Sequence, residues 1–198
     1  MISTVDNPDK ETIESVGPIW RELWGGVWHT THPERFLNIL DDGAVLSDPP
    51  HTNYNGTFVQ SLGGVSLFDF RNFNPIKYAE TNSSASWRVF VPFKRQWAGA
   101  VWLEVDHERA GEAFVSPEKL IEKWHEAKEK RNILPRLEAA HIGDLTLRNI
   151  RRAIFVRSRD FGFHTFNIIP FNRSAYEDLL PDWRRDFKLE QQITGRFR

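Results

Sequence analysis

The chain has 198 residues, with 26 Lys and Arg against 27 Asp and Glu, no Cys, eight Trp, fifteen Phe and a formal net charge of −1. That length supports one sizeable core, and the lack of Cys excludes a disulfide framework, a thiolate metal site and a cysteine nucleophile. No apolar run approaches the roughly 20 residues of a membrane helix, and polar residues such as Asp6, Asp9 and Glu11 stand where a secretory signal would be basic and then apolar, so a soluble cytoplasmic protein is expected.

Residues 1–24 read as an N-terminal extension with a short helix over residues 10–16, and residues 25–198 as a single domain punctuated at its start by Gly25-Gly26. Trp28-His29-Thr30-Thr31-His32 then reads as a buried strand ending in imidazoles and hydroxyls. Pro33 to Asp42 is a short helix with Pro at its first position and Gly43 as its stop, and Ala44-Val45-Leu46-Ser47-Asp48 is a second extended segment. Polar side chains thus collect at a strand end, where a rigid scaffold usually offers a ligand site. Residues 49–56, rich in Pro, Asn and Gly, read as a surface loop, either a lid beside that site or a plain connector.

Gly63-Gly64 turns into a strand with Val65 and Leu67 on one face and Ser66, Phe68 and Phe70 on the other, followed by Arg71, Pro75 and Tyr78. Residues 86–93 and 98–105 read as strands, the second alternating Val101, Leu103 and Val105 against Trp102 and Glu104. Ser116-Pro117-Glu118 carries the cap, the first-turn Pro and the acidic first turn of a helix running to Lys130. Glu138, followed by the small Ala139 and Ala140, starts a further strand, and Ala153 to Val156 is another. Charge is uneven. Residues 1–144 hold 15 Lys and Arg against 21 Asp and Glu, whereas residues 145–198 hold 11 against 6. Arg148, Arg151, Arg152, Arg157, Arg159, Arg184 and Arg185 make this end either a phosphate-binding face or a solvated helix and tail.

Three blocks in order, His29-Thr30-Thr31-His32 through Gly43, Leu46, Ser47 and Asp48, then Phe68, Phe70, Pro75 and Tyr78, then Glu138, resemble the DarT-type ADP-ribosyltransferases, toxins that move ADP-ribose from NAD to thymidine bases in single-stranded DNA. The chain departs from their pattern at Thr30, where Ile is preferred, and at Arg35, where Asn is common. The resemblance implies an α+β fold with a split, mostly antiparallel sheet core and flanking helices. It implies NAD as co-substrate and no metal, with NAD contacts from His29, Thr31, Gly43, Ser47, Phe68, Phe70 and Tyr78, and catalytic roles for Glu138 and Arg71. A nucleic-acid acceptor is the first expectation and a protein acceptor the second, with an antitoxin protein as a partner and no membrane. A carboxylate near the nicotinamide ribose is needed because breaking that bond develops positive charge on the sugar.

Plainer readings stand beside these: His29 as a satisfied core histidine, Glu138 as a surface charge, His141 as a surface residue. Two other functions compete, an RNA 2′-phosphotransferase of the same fold and a non-catalytic nucleotide-binding module. A metal hydrolase does not, since His29 and His32 have no carboxylate at ligand spacing.

Overall fold

The computed structural model describes residues 17–50, 56–81, 86–159 and 163–195. The strands are β1 (Val27–Thr31), β2 (Ala44–Val45), β3 (Gly64–Asp69), β4 (Gly99–Val105), β5 (Phe114–Val115), β6 (Glu138–Ile142), β7 (Leu145–Thr146), β8 (Ile150–Arg159) and β9 (Phe163–Ile169). Seven form one sheet in the order β5-β6-β3-β1-β4-β8-β9, and β2 with β7 forms a separate two-stranded ribbon. Every neighbouring pair is antiparallel. The α+β class with a mainly antiparallel sheet is therefore observed, as one seven-stranded sheet and a separate ribbon.

Alternation sets the two faces. Val101, Leu103 and Val105 of β4, with Ala153 and Phe155 of β8, face a core closed by Phe36, Leu37 and Ile39 of α2 (Pro33–Asp42), Tyr176 of α7 (Arg173–Glu177) and Leu180 and Trp183 of α8 (Leu180–Gly195). Ala100, Trp102, Ile154 and Val156 face a second core rich in rings: Trp20, Trp28, Phe68, Phe70, Phe73, Tyr78 and Trp87. A third cluster at the β5–β6 edge joins Phe58 and Val59 of α3 (Phe58–Ser61) to Leu120 of α6 (Pro117–Glu126). Trp20, Trp28, Trp87, Trp102 and Trp183 are fully buried, so these rings are packing material.

The boundary expected after residue 24 marks no break in packing. Ile19, Trp20 and Leu23 of α1 (Ile19–Leu23) lie inside the second core, and Leu23 accepts a 2.9 Å bond from the Trp28 indole; the helix expected over residues 10–16 lies outside the described residues. The strand expected over residues 86–93 is a single turn of 3-10 helix, Ser86–Val89, followed by a bend. Trp87 is buried there with Arg88 and Val89 exposed, and Val91 is buried in the bend that follows. Helix α6 starts as expected, the Ser116 hydroxyl accepting from the Lys119 N–H, but stops at Glu126. Lys128 adopts φ +50° and the Trp124 indole donates to the Arg131 carbonyl, since residues 128–132 carry no apolar side chain to continue the buried stripe. Among the described residues no helix is long and apolar enough to cross a membrane.

Candidate functional site

β1 and β3 pair at only two positions, Val27 with Asp69 and Trp28 with Phe68. Beyond Trp28, β1 continues to pair with β4 through Thr31 while β3 stays with β6. The strands part, and a cavity of about 800 Å³ lies along the gap, within the range of roughly 300–1,000 Å³ typical of small-molecule sites.

Where strands separate, backbone groups lose their ladder partners and must find others. The His29 imidazole takes over at one such point, its Nδ1 lying 3.0 Å from the Ser66 carbonyl oxygen. A carbonyl only accepts, so Nδ1 carries the proton and Nε2 is left as an acceptor. Burial holds the His29 pKa below its ordinary value against the raising effect of that bond, which keeps the ring neutral at pH 7.

Glu138 opens β6 opposite Phe68, which puts it on the sheet face that Ser66 shares. Its Oε1 accepts from the Ser66 hydroxyl at 3.0 Å and its Oε2 from the Leu134 N–H at 3.0 Å. Burial pushes the carboxyl up, and these two donors, favouring the ionised form, pull it back. Ser66 therefore touches both His29, expected to contact NAD, and Glu138, expected to be catalytic.

Register with β4 sets the hydroxyls of β1 apart. Thr31, opposite Val101, shares the His29 face, while Thr30, opposite Trp102, shares the Glu138 face. Both line the cavity, and Thr30 Oγ1 is buried without a hydrogen-bond partner among the described residues. His32 caps α2, its Nδ1 accepting the Glu34 N–H at 3.2 Å, and its ring stands edge-on to Trp97, Trp183 and Phe187. Ser47 also lines the cavity and donates both its N–H and its hydroxyl to Asp144. A further wall comes from Phe90, Lys94 and Trp97, with the Lys94 ammonium 4.6 and 4.8 Å from the two ring centres. Pro49 and Pro50, from the loop expected to be a lid or connector, and Thr57, the cap of α3, border the cavity; residues 51–55 lie outside the described residues.

Of the residues expected at the site, His29, Thr31, Ser47, Phe68 and Glu138 thus line one cavity, and four others do not. Gly43 ends α2 at φ +69°, a conformation that suits glycine, and accepts the Leu147 N–H; its role is to turn the chain. Phe70 is fully buried against Trp20 and Phe73, and Tyr78 is buried against Phe73. Arg71 follows β3 at the end where β1 is still paired; its guanidinium grips Asp69 at 2.9 and 2.6 Å and covers the Phe114 ring. The cations bordering the cavity are instead Arg35 and Lys94.

Several arginines of the basic C-terminal quarter are engaged by carboxylates. Arg151 pairs with Asp106, Arg152 with Glu22 and Glu104, Arg173 with Asp41, and Arg184 with Glu34, so part of its positive charge meets acid of the earlier chain. His141, expected at the surface, is buried, its Nδ1 3.2 Å from the Gly143 carbonyl oxygen.

No protein-family model, curated protein or solved structure matches the chain.

Sequence reasoning missed Ser66, Thr30 and Lys94 as cavity residues. Alternation in β3 already grouped Ser66 with Phe68. What sequence did not carry was the β3–β6 register, which brings Glu138 to that face.

Proposed function

We propose that the protein is an NAD-dependent ADP-ribosyltransferase acting in the gap between β1 and β3. The observation that carries this reading is the tie of His29 and Glu138 to a single residue, Ser66, in one cavity. A neutral imidazole whose Nε2 accepts is matched to a ribose hydroxyl, which donates. A carboxylate with both oxygens held by donors is oriented before reaction, so it stabilises positive charge as it develops on the sugar without reorganising.

The step balances simply. The glycosidic bond breaks with its electron pair leaving on nicotinamide, the acceptor's nucleophilic atom forms a bond to the same sugar carbon, and the acceptor's proton passes to Glu138 or to water. The Phe90 and Trp97 rings beside the Lys94 ammonium suit an acceptor with a flat face and a negative charge, which favours a nucleic acid over a protein side chain. The toxin resemblance adds an antitoxin partner to this proposal.

The test is incubation with labelled NAD and separate pools of single-stranded DNA, RNA and protein. Label transferred to the DNA or RNA pool is expected. Calorimetry showing no NAD binding would overturn the reading and turn attention to the phosphotransferase or the non-catalytic module.

A further inference from the structure

Ser66 occupies the place in β3 where pairing to β1 has ceased and pairing to β6 persists. Its two polar groups point to different partners. The carbonyl meets the His29 imidazole, and the hydroxyl reaches Glu138, each across 3.0 Å. Directly opposite Ser66 on β6 stands Ala140, whose methyl leaves the diagonal path to Glu138 clear. The other donor to the carboxylate, the Leu134 N–H, is fixed by the turn in which the Glu138 N–H donates back to the Leu134 carbonyl at 2.8 Å. Among the described residues, Ser66 is thus the side chain that holds the Glu138 carboxylate.

We infer that Ser66 is the positioning residue of this cleft, orienting the His29 ring through its main chain and the Glu138 carboxylate through its hydroxyl. The inference rests on the proposed transferase activity only for the reaction that this positioning serves. Because the two tasks use different groups of one residue, substitution separates them. Removing the hydroxyl leaves the carbonyl, and with it the His29 tautomer, in place.

The experiment uses the full chain as wild type, Ser66→Ala, Ser66→Thr and Ser66→Cys. The Glu138 carboxyl carbon is followed by NMR against pH and assigned with Glu138→Gln. Loss of a donor to the ionised form leaves burial less opposed, so in Ser66→Ala the midpoint rises by about one pH unit, while Ser66→Thr, which keeps a hydroxyl, stays with the wild type. The other ionisable groups bordering the cavity, His29 and His32 on the first strand and its end, Arg35, Asp41 and Asp42 on α2, and Lys94 beyond β3, are present in every variant and cancel. Ser66→Cys, similar in shape with a weak donor, falls between the two and decides the matter if Ser66→Ala does not fold. With NAD turnover as a second readout, Ser66→Ala lowers kcat on the order of tenfold, leaves KM for NAD near the wild-type value, and moves the acid limb of the rate profile upward with the midpoint. A wild type that turns over no NAD ends the transferase reading, while the titration still decides whether Ser66 holds the carboxylate. An unchanged midpoint in both Ser66→Ala and Ser66→Cys, or a fall in KM-corrected activity equal for Ser66→Thr and Ser66→Ala, would overturn the inference.

Discussion

The gap between β1 and β3 and the basic stretch from β8 to α8 hold their charged groups in different ways. Around β8 and α8 the arginines are met by carboxylates, several contributed by distant parts of the chain: Arg152 by Glu22 and Glu104, Arg184 by Glu34. In the gap the Glu138 carboxylate is held by a hydroxyl and an N–H, and Thr30 Oγ1 is buried without a partner among the described residues, as are Trp20 Nε1, His164 Nδ1 and Thr165 Oγ1 elsewhere. Such groups cost stability, and of these four Thr30 is the one that lines the cavity, where a ligand can complete it. A charge surplus counted along the sequence says little about a partner until its internal partners are known.

The largest expected effect falls in the gap. Glu138→Gln is expected to cut transfer by about 10²–10³, the loss seen when a preorganised electrostatic group is removed, while NAD affinity measured by calorimetry stays near the wild-type value. Equal loss of affinity and rate would place Glu138 in binding alone. The converse test is on the other region. Arg152→Ala removes two charged bonds, to Glu104 and Glu22, and a guanidinium 5.3 Å from the Trp28 ring centre, so urea unfolding should show a loss of about 1–3 kcal/mol with NAD turnover unaltered in the folded protein. A matching drop in turnover would mean that the two regions are coupled and the contrast between them is wrong.

His29→Ala should weaken NAD binding about tenfold, the value of one hydrogen bond of roughly 1.4 kcal/mol, with far-UV circular dichroism unchanged. Its pH behaviour sharpens the point. Burial lowers the His29 pKa, so the stability gained from a neutral ring is present above about pH 6.5 and declines as pH falls from there toward the folded value. The variant should lack that part of the acid decline.

Much of this architecture was legible because short-range rules governed it. Pro33 and Gly43 bounded α2, and alternation gave both faces of β4 and grouped Ser66 with Phe68. Residues 86–93 were misread because the same apolar composition suits a strand and a 3-10 turn, and only the pocket for Trp87 among Trp20 and Phe73 decides between them. Phe70, Tyr78 and Arg71 were placed at the site by order along the chain, but the gap opens at the other end of β3. Where two strands stop pairing is a property of the sheet, not of either strand's sequence, so the site's extent and the part played by Ser66 were out of reach.

The smallest expected effect bears on the same contrast from the side of stability. Glu138 is half-buried, and its carboxyl is raised because desolvation outweighs the Leu134 and Ser66 donors. For an acid whose folded pKa lies above its unfolded one, the folded state binds protons more readily, so ionisation costs stability at every pH above the folded value. That cost is relieved as pH falls through the folded value and is gone near the ordinary carboxylate range. Glu138→Gln should therefore stabilise the protein at pH 7–8 by about 0.5–1 kcal/mol, read as a melting point a few degrees higher, with the gain shrinking toward pH 4.5. Arg184→Ala has no such effect. That exposed pair with Glu34 should change stability by at most about 1 kcal/mol, and as a loss. A Glu138→Gln protein less stable than the wild type at neutral pH would show that the two donors offset burial completely, and that the cleft stores no strain for function to use.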